Sequence, residues 1–290
     1  MKFIHILKNF ILSIVGILLI GGLPVLVSGV TQGKLFFTEY LNEIYSIIYA
    51  IFHPSELTYK VIGGQKERDL FPYLWDPIQY SLTVLFSSFF LSLLVAISIT
   101  IITMLFSENI RRRIKFTFYL LETLPDILII LFIQILIVLY YKQSGLILVG
   151  IASTYDDKVY LLPIIILALL PTIQLFRLSI MTFEQEESKD YVLLAKSIGL
   201  SKFFIMIVHI FRNAIISVFF QSKKTIWFML SNLFVIELLF NIPGITRFLM
   251  STLQPKLFTL ALLSIFIPLF FFYNLGEIIL SKQSNKGEAL

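Results

Sequence analysis

The stretch SKDYVLLAKSIGLSKFFIMIVHIFRNAI, residues 188–215, is far more polar than the apolar runs on either side of it. It carries Lys189, Asp190, Lys196, Lys202 and Arg212, and Gly199 divides it into two helical patterns. Gly199 fits the left-handed residue that ends a helix, and Ser201 fits the N-cap of the next one. Upstream, Thr182 and Gln185 match a capping box. That start would set Glu184, Glu186 and Glu187 near the positive end of a helix dipole. The segment reads as two short helices meeting at a fixed corner, within a loop of about residues 181–222.

The rest of the chain is close to lipid solvent. Of 290 residues 58% are hydrophobic and 14% charged, whereas a soluble domain is roughly half apolar and a quarter charged. No Cys is present, which excludes disulfides and thiolate chemistry, and the three His (His5, His53, His209) do not fall at metal-ligand spacing. The net charge of +5 sits beside apolar spans, which points to membrane orientation and not to nucleic acid.

A span needs roughly 20 mostly apolar residues. Six are expected, at about Phe10–Val30, Ile78–Phe106, Phe116–Tyr141, Tyr160–Ile180, Thr225–Phe240 and Leu257–Leu280. The first is read as a retained helix, not a cleaved signal peptide, because its apolar core exceeds the usual length. It closes a first region, residues 1–30. Residues 31–77 form an outer segment with turn signals at His53-Pro54 and Gly63-Gly64. Within it Leu35–Phe52 reads as an interfacial or packed helix, because Glu39 and Glu43 argue against a span. Residues 78–280 form a five-helix core, and 281–290 a tail. With the N-terminus inside, fifteen basic residues fall on the inner face and eight on the outer. The expected fold is therefore an all-α membrane protein with six transmembrane helices, both termini cytoplasmic and the elbow on the cytoplasmic side.

Other residues carry open readings. Glu237 lies in an expected span, and a carboxylate there either lines a pathway or is held structurally. Glu122 and Asp126, four apart, share a helix face and either face a pathway or anchor the third span beside Arg111–Lys115. Arg177 is expected to end the fourth span and snorkel to the interface. His209 reads as a packing contact, and Pro163 and Pro171 can kink the fourth span. No GxxxxGK[ST] occurs, so no P-loop holds a nucleotide, and no nucleophile or paired-carboxylate arrangement marks this chain as an enzyme. From physics alone, the elbow also fits an amphipathic pair lying on the membrane surface.

The order Asp190-Tyr191-Val192, Ala195, Gly199-Leu200-Ser201, His209 and Arg212-Asn213-Ala214 resembles the signature loop of ABC-transporter permeases of the binding-protein-dependent importer class, in the dipeptide/oligopeptide/nickel branch. Leu230–Leu249, LSNLFVIELLFNIPGITRFL, resembles that family's stretch with Glu237, Phe240, Pro243 and Gly244. Leu70–Leu94 resembles the entry to its second span, and the sizeable outer segment resembles the B-type subunit. The likeness covers roughly residues 70–280. It departs at Ser217, at Ala195-Lys196-Ser197-Ile198-Gly199, at Gln254-Pro255 and at Asp126. The resemblance implies that Asp190, Tyr191, Ala195, Gly199, Leu200, Ser201, Arg212 and Asn213 couple the chain to a cytoplasmic ATPase, with Ala195 small to permit close contact. It implies a pathway role for Glu237, Pro243 and Gly244, with ATP and Mg held only by the partner. Further partners implied are a second permease subunit, similar or identical, and an extracytoplasmic substrate-binding protein, in the plasma membrane of a prokaryote. The cargo implied is a peptide or similar small polar solute. A secondary transporter or channel without ATPase, or a non-transporting anchor or sensor, are the competing readings.

Overall fold

The computed structural model of the protein describes residues 2–28, 30, 33–60, 63, 66–145, 158–252 and 254–287. Gly64 of the expected turn and the end of the expected tail lie outside them. The elements run α1 (Lys2–Val27), α2 (Phe37–Phe52), β1 (Thr58–Lys60), β2 (Glu67–Asp69), α3 (Trp75–Leu105), α4 (Glu108–Glu122), α5 (Asp126–Ser144) and α6 (Leu161–Glu187). Then come α7 (Asp190–Ser197), α8 (Lys202–Phe204), a π-helical stretch Ile205–Phe211, α9 (Arg212–Gln221), α10 (Lys223–Leu239), α11 (Ile245–Thr252) and α12 (Pro255–Gly287). Among the described residues six stretches are long and apolar enough to cross a membrane: Ile4–Val27, Trp75–Leu105, Asp126–Ser144, Leu161–Glu187, Lys202–Gln221 and Pro255–Leu280. Apart from one hairpin the regular structure among these residues is helical. The chain divides into two compact units, residues 1–82 with 243–278, and 83–242 with 279–290.

In the first unit α2 packs on α1, where Tyr40 donates its hydroxyl to the Leu19 carbonyl at 3.1 Å. Phe10 of α1 meets Phe270 of α12 with ring centroids 5.0 Å apart. The outer segment folds back as a hairpin that the sequence did not announce. Its strands pair Thr58 with Asp69, Tyr59 with Arg68 and Lys60 with Glu67. Tyr59 is its one buried strand residue and lies 5.3 Å from the Phe248 ring of α11. Strands of three residues give almost no alternation to read.

The second unit has its core around the middle and end of α6. Leu175, Phe176, Ile180 and Phe183 pack with Ala96 and Met104 of α3, Val192 and Ala195 of α7, Ile205, Met206 and Ile210 of the π stretch, and Ala214 and Val218 of α9. The polar elbow is thus built into this core.

Several expectations require correction. The third span does not run unbroken from Phe116. α4 ends at Glu122, and α5 starts at Asp126 behind Pro125, whose ψ of 132° is extended. Proline lacks the N–H a continuing helix needs and disfavours helical backbone in the residue before it. Glu122 and Asp126 therefore belong to different helices and share no face. Asp126 sits in the first turn of α5, where the dipole favours it. No helix starts at Thr182. α6 continues to Glu187, and Thr182 returns its hydroxyl to the Leu178 carbonyl at 2.9 Å. Arg177 does not end its span; it lies inside α6 and pairs with Glu122 of α4. Finally, the elbow's second helix is not short. Helical backbone continues from Lys202 through Gln221, and after Ser222 α10 follows, so a span-length apolar helix precedes the expected Thr225–Phe240.

α1 approaches α12 closely at one point. A Cβ on Gly21 would stand 1.8 Å from Thr259 Oγ1. Gly21→Ala is expected to destabilise the purified protein by about 1–3 kcal/mol, the usual range for overpacking. Adding Thr259→Ala should recover part of that loss in thermal denaturation, whereas an unchanged midpoint for Gly21→Ala alone would refute the close approach.

Candidate functional site

The corner at Gly199 is fixed by backbone geometry. Gly199 has φ +84°. Its N–H donates to the Lys196 carbonyl at 3.1 Å, and the Leu200 N–H reaches back to the Ala195 carbonyl at 3.2 Å. These two bonds form a Schellman motif and satisfy carbonyls that the end of α7 would otherwise leave open. Ser201 then caps the next helix, its hydroxyl accepting from the Phe204 N–H at 3.3 Å.

Around this corner the side chains sort by face. Val192 and Ala195 point into the core, Ala195 being 4% exposed. The small side chain that the resemblance places at an outer contact thus packs α7 onto its own chain. Asp190 and Lys196 are exposed, and so are the apolar Leu193, Leu194, Ile198, Phe203 and Phe204, with Leu194 at 64%, Ile198 at 68% and Phe203 at 60% the most open.

Tyr191 and Asn213, both singled out by the resemblance and 22 residues apart, are brought together. Asn213 Nδ2 donates to the Tyr191 hydroxyl at 3.0 Å, and that hydroxyl donates to Glu186 Oε2 at 2.7 Å. Burial first, and then the hydrogen bond to Glu186, push the Tyr191 phenol up to about 12, so it remains a donor across the physiological range. Lys189 Nζ closes on the other oxygen of Glu186 at 2.6 Å. His209 lies among aromatic neighbours, its ring centroid 6.4 Å from Tyr191 and 6.1 Å from Phe204. Arg212 is exposed.

The residues that sequence reasoning missed are those holding the elbow from behind. Glu184, Glu186 and Glu187 occupy the last turn of α6, which is the negative end of its dipole and disfavours them. Cations offset this. Lys115 of α4 pairs with Glu184 at 2.8 Å and Arg111 with Glu187 at 3.0 Å. Glu187 also takes Lys196 of α7 at 3.4 Å, so one carboxylate bridges α4 and the elbow. The end of α3 is drawn in too. Arg111 Nη2 donates to the Met104 carbonyl at 3.0 Å, and Lys202 Nζ to those of Leu105 and Phe106 at 3.1 and 3.2 Å. The available signal was the spacing of Arg111 and Lys115, four apart on one helix face, facing three nearby carboxylates.

Glu237, Pro243 and Gly244 belong to a second corner. Asn241 takes φ +53°, and the Ile242 N–H bonds the Glu237 carbonyl at 3.0 Å, again closing a helix in Schellman fashion. Glu237 is 1% exposed and Gly244 is buried, while Pro243 is exposed.

Removal of the shared carboxylate tests the bridge. Glu187→Gln should destabilise the purified protein by about 1–3 kcal/mol, because partly buried Arg111 loses its nearest counter-charge. Glu108→Gln, whose pair with Arg112 is almost fully solvent-exposed, should change stability by less than about 0.5 kcal/mol. Equal thermal midpoints for the two variants would remove Glu187 from the framework.

Similarity to known proteins agrees with this layout. The family described as binding-protein-dependent transport system inner membrane component matches residues 88–281. The dipeptide transport system permease protein DppB of Bacillus subtilis (strain 168) is 30% identical over 106 residues, 36% of this chain and 34% of that protein. DppB of Haemophilus influenzae is 29% identical over 109 residues, 37% of this chain and 33% of that protein. DppB of Escherichia coli (strain K12) is 29% identical over 96 residues, 33% of this chain and 28% of that protein. These matches span about a third of the relatives' length. The family match covers the whole described part of the elbow, the core packed behind it and the Glu237 corner, and the chain belongs to the binding-protein-dependent transport system inner membrane components.

Proposed function

We propose that this chain is a permease subunit of an ATP-driven importer, forming half of a pathway for peptides or similar small polar solutes, with the elbow docking a soluble ATPase. ATP and Mg would be bound by that ATPase and not by this chain. A second permease subunit would complete the pathway, and a substrate-binding protein outside the membrane would deliver cargo. The relatives named as dipeptide permeases support the cargo class. In this reading the chain sits in a prokaryotic plasma membrane, with the elbow and both termini on the cytoplasmic side.

The observation that carries the proposal is the two-sided elbow. One side, Val192 and Ala195, is part of the core; the other presents Leu194, Ile198 and Phe203 at 60% exposure or more. A helix lying in the headgroup layer would keep its apolar face continuous and its charges apart from it. Here exposed Asp190 and Lys196 stand among exposed Leu193 and Leu194 on an eight-residue helix, a mixture that suits a protein partner. For Glu237, near-complete burial favours a structural carboxylate. Glu237→Gln should accordingly lower the amount of folded protein more than the uptake per molecule.

Two experiments test the reading. Leu194→Asp and Ile198→Asp, at matched membrane levels, should reduce ATPase co-purification and uptake at least tenfold, since each puts a charge in the core of a contact (about 1.4 kcal/mol per tenfold). Ala195→Asp should instead reduce the amount of folded protein. Normal ATPase recovery with both outward-facing variants would end the docking proposal. The chain has no Cys, so single cysteines report topology directly. Lys66→Cys should react with an impermeant thiol reagent in intact cells, and Ser197→Cys only after permeabilisation. Labelling of both from outside would invert or abolish the proposed orientation.

A further inference from the structure

The run Arg111-Arg112-Arg113-Ile114-Lys115 on α4 is divided by helical geometry. Arg111 and Lys115, one turn apart, face α6 and are occupied by Glu187 and Glu184. Arg112 and Arg113 lie roughly 100° and 200° further round the helix and are exposed. Arg112 meets Glu108 at 3.5 Å, with side chains 76% and 85% exposed, and Arg113 has no ion pair among the described residues. Two guanidinium groups are therefore presented outward by a helix whose inner face is already neutralised.

Their height relative to a bilayer can be read from α3. It has 31 residues, hence about 46 Å of helix, and a bilayer including its headgroups is about 40–45 Å thick. It begins at Trp75, an interface-favouring residue, carries Asp76 in its first turn and no further charge to Leu105, and Ile102 and the following Phe106 are exposed. The hydrogen bond from Arg111 to the Met104 carbonyl ties the start of α4 to the end of this helix. Arg112 and Arg113 thus stand at a headgroup plane. Following the same exposed side of α4 toward α5, the next residues are Phe116 at 60%, Tyr119 at 54% and Leu120 at 50%. Beyond Pro125, α5 exposes Ile127, Leu128, Leu131, Phe132 and Ile135. Cation, aromatic and aliphatic follow one another as phosphate, interface and hydrocarbon do. A soluble partner could meet the arginines but could not follow the surface beyond them.

We propose that Arg112 and Arg113 bind the headgroup phosphates of anionic phospholipids, with Phe116 and Tyr119 seating the acyl-chain side of the same lipid. The planar guanidinium fork suits phosphate oxygens, and the attraction is confined to within a Debye length of the surface. The site does not depend on which partner the elbow docks.

The test uses the full-length chain in nanodiscs of equal phosphatidylglycerol and phosphatidylcholine, with the lipids retained after transfer to detergent measured by native mass spectrometry. The wild type should retain phosphatidylglycerol preferentially, and the preference should collapse in high salt. R112Q/R113Q should lose roughly fivefold of it per arginine, while keeping the wild-type thermal midpoint in phosphatidylcholine alone. R112K/R113K, which keeps the charge without the fork, should retain only part of it. Lys142→Gln, at the far end of α5, should leave it unchanged. Equal retention by wild type and R112Q/R113Q, or an equal loss in Lys142→Gln, would overturn the site. So would an R112Q/R113Q protein that keeps its lipid preference and instead loses a co-purifying soluble partner.

Discussion

The last turn of α6 concentrates three carboxylates, Glu184, Glu186 and Glu187, where both their mutual repulsion and the helix dipole oppose them. The rest of the second unit follows from how this is offset. Lys115 and Arg111 supply charge from α4, Lys189 from the connection and Lys196 from the elbow. Close to an apolar core such pairs are less screened than on an open surface, and each loses much if one partner is removed. Because Glu187 serves two cations on different helices, α4, α6 and α7 are held in one relative position. A displacement of α7 would thus be passed to α6, which is long and apolar enough to span, and to α4 without a flexible link between.

The same arrangement explains what could be read from the chain alone. The corner was legible because its determinants are local: Gly199 for positive φ, Ser201 for the cap, each acting over three to five residues. Tyr191 and Asn213 came from the family resemblance, and the structure adds that they touch. The number of apolar spans followed from composition, but the fifth was expected at Thr225–Phe240 and the apolar stretch of span length lies at Lys202–Gln221. The failures share one origin. Thr182, Gln185 and the three glutamates look like a helix start when only neighbours in sequence are considered. They become a tolerable helix end with Lys189 and Lys196 just downstream together with cations 69 and 76 residues away. Arg177 was read as seeking the interface for the same reason; its partner Glu122 lies 55 residues away. A local pattern cannot show which of two helix termini a charge belongs to when its compensation is tertiary.

The unbroken third span was a different error. Pro125 was visible, but the apolar residues around it suggested a single helix. In lipid a freed backbone group must find another partner, and here the break is made orderly by side chains and turn geometry. Thr123 returns its hydroxyl to the Leu120 carbonyl at 2.7 Å, and α5 restarts with Asp126 in its first turn. The break also separates α4, which carries the basic run, from α5, whose charges are confined to its first and last turns. One continuous hydropathy signal thus covered two helices with different tasks.

The two Schellman corners sharpen what Gly199 is for. At the end of α10 the left-handed position is held by Asn241 at φ +53°, so this chain closes such a corner without glycine where it suits. At Gly199, φ is +84° and a Cβ would meet nothing within 4 Å. The chain's own packing therefore sets only the conformational cost there, about 1 kcal/mol for a residue with a Cβ and less for asparagine. Buried neighbours of the same chain do not require the missing side chain. If only backbone conformation mattered, the solution used at Asn241 would serve equally well. A stricter need for glycine has to come from a surface approaching the corner from outside, beside Leu194, Ile198 and Phe203, which the chain leaves exposed. The shape of the elbow thus divides between two sources: α6 and α4 fix where the corner stands, and the left-handed backbone at Gly199 fixes how it turns.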